Sequence, residues 1–539
     1  MKGWVIAHSL DQVANGERAF VQQLGSPGPG RLTYSSVMTA AECEAIDFAS
    51  YRDARSWCVK DGLDRTVMDG VSLGRAFEYT ATETLVRHRR AALVLGKLLE
   101  DSRDKTVRLR GVGTEWWTMA LALGADPIAE GRGLVASPDG GAHPTSPSRS
   151  CRLMARLAAI RPPKSPWLAL MGAPLWTRPY HRILLRGSPA QLVDPGRGVL
   201  VCAIGLGTRT SSLWLADLDR KTRVPTLSDG AVASPSQEPL RAVENRFQAL
   251  QVSIGAWAKA GRRIGRPGAV AVAAQDVLAP ARAFLLGFQA AGGKVITLEH
   301  GVSGGYTELV SSVANTFAAW GEPQAAYTRE ASSAGLSVVS VGWARLETCA
   351  ALPAPAGDDA WDLLHFSQPS EDLSAGNWPE DNLLAVQMVE EYARLHPNRR
   401  VAVKLHPASR LLGFSPPPIR HAQLVTADSL SLIRSARVVI VGRSTTGLEA
   451  MCVGRPVLQV PALGYIGASE FIRDSGAARM VESADELAAA MDRLLSDRSS
   501  YVDAIERGRA YARSFVQGFG QPGAAVKRLV ELVAESRHS

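Results

Sequence analysis

Val438-Val439-Ile440-Val441-Gly442-Arg443-Ser444-Thr445-Thr446-Gly447-Leu448-Glu449-Ala450 reads as a buried strand running straight into a helix. Four consecutive apolar β-branched residues suit a strand covered on both faces, as in a parallel sheet flanked by helices. The small hydroxyl residues then open a helix. Free backbone N–H groups, hydroxyls and the positive helix end therefore converge on one point, and an anion is the natural occupant. Gly442 and Gly447 allow something to approach the backbone closely. The plainer alternative is that Ser444 or Thr445 only caps the helix. Either way the unit is strand–turn–helix, and it sets the class as α/β.

Upstream, Val401-Ala402-Val403-Lys404-Leu405-His406-Pro407 is a second strand, ending in an imidazole at the carboxyl rim of a sheet. Pro407 stiffens the turn and favours extended geometry before it. Alternation turns Lys404 and His406 to the same side. By contrast His396-Pro397 closes a helix and reads as a stop signal. Further strands are expected at Val338–Val341, Asp362–Phe366, Gln423–Val425 and Val457–Val460, with a helix over Glu380–Leu395 whose inner face carries Leu384, Met388, Tyr392 and Leu395.

The N-terminal half repeats the alternation. Strands are expected at Trp4–Ala7, Val107–Leu109, Val199–Ile204, Val270–Ala273 and Val295–Leu298, and helices at Leu73–Glu100, Leu240–Ile264 and Ala279–Ala290. A chain of 539 residues exceeds what one core usually serves. The expected division is a Rossmann-like domain over 1–325, containing a loop and basic segment at 131–197, and a second Rossmann-like domain over 336–515. A final helical stretch follows at 516–539. Two such halves facing each other would form a cleft at the strand carboxyl ends, where open α/β sheets place ligands.

On the opposite wall of that cleft stand Glu299, His300 and the glycine-rich turn after them, candidates for a general base or for positioning an acceptor. Structural duty in the loop is the competing reading. Asp69 precedes Gly70 at the start of a long helix and could act as base or nucleophile, although Asp-Gly is also an ordinary turn. Gln368, in the loop after Asp362–Phe366, could bond a base or ribose.

Asp217-Leu218-Asp219 has the form of a metal-diphosphate motif but runs into Arg220-Lys221, so no metal is assigned. Gly205-Leu206-Gly207 lacks the third glycine of a dinucleotide fingerprint, and no Walker loop or nucleophile elbow occurs. No cofactor is expected. The six cysteines are widely spaced, without a zinc pattern, and read as reduced thiols of a cytoplasmic protein. No apolar run approaches the ~20 residues that span a bilayer. Net charge is +8, and eight Lys/Arg with no acid lie between Gly140 and Val193. With Trp167 and Trp176, the 149–186 stretch is a candidate peripheral membrane contact at the inner face of the cell membrane, against the plainer reading of a solvated linker. No nucleic-acid module accompanies the charge, so nucleic acid is not an expected partner.

With these residues quoted, the chain resembles bacterial capsule- and surface-polysaccharide glycosyltransferases, including Kdo transferases and bacterial sialyltransferases. Their His-Pro and Ser/Thr motifs look like His406-Pro407 and Ser444-Thr445 here, and Gln368-Pro369 is similar to a Gln-Pro loop, with Ser370 where that pattern has an acid. Glu299-His300-Gly301 is similar to a Gln-His-Gly stretch, with glutamate in place of glutamine. The resemblance runs from about Gly265 to Tyr465. It implies a GT-B architecture with C-terminal helices crossing back to the first domain and metal-independent transfer. The implied donor is a CMP-linked nucleotide sugar, carrying Kdo or another ulosonic acid to a glycan or lipid-linked acceptor. On this reading Lys404, His406, Pro407, Gln368, Ser444, Thr445, Thr446, Gly447 and Glu449 bind the donor, while Asp69, Glu299 and His300 serve catalysis. Competing readings are a teichoic-acid-type transferase using a CDP-linked polyol phosphate, a sugar-nucleotide epimerase, and a non-catalytic glycan- or nucleotide-binding relative.

Overall fold

The computed structural model describes residues 3–23, 30–100, 102, 104–130, 168–171, 190–194, 199–203, 210–214, 233–273, 276, 279–299, 312–332, 335–352, 359–367, 379–406, 419–442, 444–461 and 475–538. Three large sheets organise them, an N-terminal, a middle and a C-terminal one, beside two small two-stranded hairpins.

The N-terminal sheet has five parallel strands in the order Arg31–Leu32, Ala19–Gln23, Trp4–Ser9, Thr106–Arg110, Asp126–Glu130. The middle sheet has eight, ordered Thr210–Trp214, Val199–Ala203, Ala190–Asp194, Leu168–Met171, Val270–Ala273, Lys294–Leu298, Thr316–Ala319, Ser337–Ser340. Only the hairpin-linked pairs at its first edge are antiparallel. The C-terminal sheet is parallel throughout, in the order Gln423–Leu424, Val401–Lys404, Trp361–Phe366, Ala436–Val441, Val457–Gln459, Arg479–Met480. Numbered along the chain this last order is 3-2-1-4-5-6, the doubly wound pattern whose direction reverses between its first and fourth strands.

Helix Leu73–Glu100 joins the two N-terminal sheets. Its first half packs Ala76, Phe77, Ala81 and Leu85 against Ala271, Ala273 and Phe284 of the middle unit. Its second half packs Ala91, Val94, Leu95 and Leu98 against Trp4, Ile6, Phe20 and Val107 of the N-terminal sheet. At the far end, helix Ala524–His538 lays Ala525, Val526, Leu529 and Val533 on Val270, Val272 and Ile296 of the middle sheet. The chain thus returns from the C-terminal unit to the middle one. The return passes where Gln517 N donates to Trp320 O at 2.8 Å, beside Trp320 stacked on Trp343 with ring centroids 4.3 Å apart.

Three expectations need correction. Ser337–Ser340 pairs with Thr316–Ala319, so the middle sheet runs through the expected 325/336 boundary, and the C-terminal sheet starts at Trp361. A short edge strand has too few residues for its sheet membership to be read from pattern alone. Leu168–Met171, inside the basic segment, is an interior strand paired on both sides, at Ala190–Val193 and Val270–Ala273. That stretch of backbone belongs to a sheet, and the tryptophans and basic residues of the expected 149–186 membrane contact lie outside the described residues. Leu395 is exposed, and the helix buries Ala385, Met388, Val389, Tyr392 and Ala393 instead. Among the described residues no helix is long and apolar enough to cross a membrane.

Candidate functional site

Register places the C-terminal motifs on one rim. Phe366 pairs with Lys404 on one side and with Val441 on the other, so the three residues form a row across the sheet at the strand carboxyl ends. Beyond the row lie Ser367, then Leu405 and His406, and across the direction reversal Gly442 and Ser444–Thr446. Strands spaced about 4.8 Å apart put the His406 and Ser444 strands roughly 10 Å from each other, a gap of nucleotide-phosphate dimensions.

Each group is fixed by a neighbour. The buried Ser367 Oγ accepts the backbone N–H of His406 at 3.0 Å, tying the end of one strand to the next. The His406 ring is exposed at the rim yet crowded by protein, and this crowding, with the Lys404 charge second, lowers its pKa. This lowering favours the uncharged imidazole near neutral pH. Lys404 Nζ donates to Ser429 Oγ at 2.8 Å. Burial lowers the lysine pKa against the raising influence of Asp428.

Thr446 N donates to Ser444 Oγ at 3.2 Å, and the two hydroxyl oxygens lie 2.6 Å apart. Ser444 thus acts as a cap, while Thr445, the residue before the helix Thr446–Val453, makes no side-chain cap. Gln459 Nε2 donates to Gly442 O at 3.3 Å and steadies the turn. Gly447 is buried at the helix start.

Glu449 departs from the donor-binding expectation. It is buried, and Arg345 takes both of its oxygens at 2.8 Å in a fork-to-fork pair. Its acid pins the hydroxyl-bearing helix to helix Ala344–Ala351. The pair also keeps an uncompensated negative charge away from the anion end of the helix. Sequence reading missed Arg345, since nothing in a linear pattern announces a partner 104 positions away.

On the N-terminal side, Glu299 is 4% exposed and accepts the backbone N–H of Trp320 at 2.6 Å, while its own carbonyl accepts Trp320 Nε1 at 3.0 Å. Two adjacent strand ends are stitched together by this residue. That is a structural task, in line with the competing reading of this residue. Asp69 has φ +51° and Gly70 φ +78°, so the pair forms the left-handed turn of the hairpin Val67–Met68/Val71–Ser72, with Asp69 exposed. His300, Gln368 and Pro407 lie outside the described residues. Among the described residues no group of three or more His, Cys, Asp or Glu is placed to hold a metal.

No family model and no curated protein matches the chain. Among solved structures it is similar to a glycosyltransferase from Rickettsia africae, at 12% identity over 69% of this chain and 99% of that one, with a TM-score of 0.37. It is also similar to Anabaena Alr3699/HepE in complex with UDP and glucose, at 12% identity over 69% and 100%, with a TM-score of 0.40. Similarity to the Thermobaculum terrenum O-GlcNAc transferase is 11% over 86% and 82%, with a TM-score of 0.35. At this degree of overlap no residue role passes from those proteins to this one, and the fold stands on its own strand order and register.

Proposed function

We propose that the chain is a metal-independent glycosyltransferase of the GT-B type that binds a nucleotide-sugar donor at the rim of its C-terminal sheet. The observation that carries the reading is the row Phe366–Lys404–Val441, which brings His406 and the Ser444–Thr446 helix start to either side of the strand-order reversal. A donor phosphate between them would meet the His406 imidazole, the Ser444 and Thr446 hydroxyls and the positive end of the helix. Such groups stabilise the negative charge that builds on a leaving nucleotide. The best-supported donor is CMP-linked Kdo or another ulosonic acid, on the strength of the His-Pro and Ser/Thr resemblance. Gln368 and Pro407 are assigned to the donor and His300 to the acceptor side on the same ground.

Of the acids expected on the acceptor wall, Asp69 is the exposed one, and it is assigned the role of general base toward the acceptor hydroxyl. The free cysteines Cys43, Cys349 and Cys452 are buried, which supports a cytoplasmic setting. Thermal shift with CMP, CDP, UDP and GDP tests the donor, because a ligand of the native state raises its melting temperature. His406→Ala should lower turnover on the order of 10²-fold. Unchanged turnover and donor affinity would remove the proposal, and a CDP preference with a phosphodiester product would replace it by the polyol-phosphate reading.

A further inference from the structure

The N-terminal sheet carries a reversal of its own. Numbered along the chain its strands run 3-2-1-4-5, so the direction turns between Trp4–Ser9 and Thr106–Arg110. In open α/β sheets such a turning point, at the strand carboxyl ends, opens the crevice in which a ligand sits. Helix Pro379–Leu395, which follows the Trp361–Phe366 strand of the donor rim, packs against Ala19–Gln23 and reaches the Ser35 amide through Glu380. The carboxyl ends of the N-terminal and C-terminal sheets are thereby brought together.

His8 stands one residue before the end of the first strand, beside Gln22 of the second. Its Nδ1 lies 3.3 Å from Gln22 Oε1, and Gln22 Nε2 donates to Tyr34 Oη at 3.5 Å. Gln22 and Tyr34 are buried, whereas His8 is half-buried. An amide oxygen can only accept, so Nδ1 carries the ring hydrogen and the lone pair is on Nε2. Burial lowers the His8 pKa, against the Gln22 bond and the Asp11 charge, which favours the neutral ring. Asp11 is exposed in the turn Leu10–Gln12 that follows the strand. Across the reversal, the buried Glu115 of helix Thr114–Ala122 lays its carboxylate over Gly113, at a helix start that would otherwise attract an anion.

The imidazole Nε2 accepts a hydrogen bond, and a hydroxyl supplies one. A phosphate or carboxylate would instead meet two acids of its own sign, Asp11 and Glu115. We propose that this reversal point binds a neutral, hydroxyl-rich glycan, with a sugar hydroxyl donating to His8 Nε2 and Gln22 acting as the positioning residue for the ring. That the glycan is the acceptor of the transfer rests on the proposed transferase reading, whereas the binding site does not.

The test screens the full chain, without nucleotide, on an array of neutral and acidic oligosaccharides, followed by titration calorimetry with the best neutral ligand. The parent should retain neutral glycans, and His8→Ala should weaken their binding about 10-fold, as expected for one hydrogen bond. His8→Ala, at a half-buried position, should leave Tm within about 2 °C, so its loss of binding reports the site. Gln22→Leu should weaken binding similarly by releasing the ring, and Gln22→Glu, which keeps an oxygen facing Nδ1, should restore most of the affinity. Retention of acidic glycans only, retention of none, or equal affinity of the parent and His8→Ala overturns the proposal. Failure of the transferase reading shows separately, as glycan binding that persists in a chain whose Tm responds to none of CMP, CDP, UDP and GDP.

Discussion

The carboxylate of Glu380 accepts the backbone N–H of Ser35 with its two oxygens at 3.2 and 3.1 Å, across 345 positions of chain. Glu380 opens the helix Pro379–Leu395 of the C-terminal unit, and Ser35 lies in the first turn of the short helix Tyr34–Val37 of the N-terminal sheet. The acid is fully buried, so the contact is an internal joint between the two units. Replacing Glu380 by Ala removes this charge-assisted bond and should cost about 1–3 kcal/mol in urea unfolding, while Glu380→Gln keeps an oxygen and should cost less. Equal and negligible losses in both variants would show that the joint contributes nothing.

Glu299 separates structure from catalysis in one comparison. Gln retains an acceptor for the Trp320 amide, so Glu299→Gln should fold normally and keep its activity, whereas Glu299→Ala should lose about 1–3 kcal/mol of stability. A Gln variant with an unchanged melting temperature and turnover reduced on the order of 10²-fold would restore the acid as a general base.

The return of the chain past Trp320 depends on missing side chains. A Cβ on Gly321 would strike the Phe515 carbonyl oxygen, and one on Gly342, where φ is +86°, would strike that of Gln517. Each Gly→Ala variant should lose about 1–3 kcal/mol, through overpacking at Gly321 and through added backbone strain at Gly342. Limited proteolysis should then release the C-terminal helix Ala524–His538 sooner than in the parent. Unaltered proteolysis and stability in both would contradict the close approach.

Acid should weaken the fold through two buried imidazoles. His365, 1% exposed, donates Nδ1–H to Ile440 O at 3.1 Å and has no partner for Nε2, and burial pushes its pKa down to about 4. Burial does the same to His88, which bonds Thr84 O at 2.8 Å. Since the folded pKa lies below the unfolded value of about 6.5, the unfolded chain binds the extra proton first. The stabilisation is complete above pH 6.5 and is lost as pH falls toward 4, by up to about 3 kcal/mol per ring. His365→Leu should flatten the fall in urea midpoint between pH 6.5 and 4.5, and a parallel fall in parent and variant would refute this origin.

Helix Leu73–Glu100 and the strand Val270–Ala273 could be read from sequence because a long amphipathic pattern marks the one and a short uninterrupted apolar run carrying Val270 and Val272 marks the other. Asp126-Pro127-Ile128-Ala129-Glu130 was not legible as a strand: its proline and terminal acids are tolerated because it forms an edge. Leu168–Met171 was hidden by its cationic and aromatic neighbours, which say nothing of the backbone partners that make it interior. At the rim, residue types showed which strand ends were polar. They could not show direction. Glu299 turns to an amide and Glu449 to Arg345, and both choices are made by residues distant in sequence.

One uninterrupted helix of 28 residues, about 42 Å long at 1.5 Å per residue, serves two cores at once. The first 130 residues are consequently not an exchangeable module. A chimaera that grafts another N-terminal sheet ahead of Val270 must either import a foreign helix surface into the Phe284 core or keep the native helix and refit Trp4, Ile6 and Phe20 to it. Changes that retune one sheet are therefore constrained by the fit of the other, and the two are expected to diversify together.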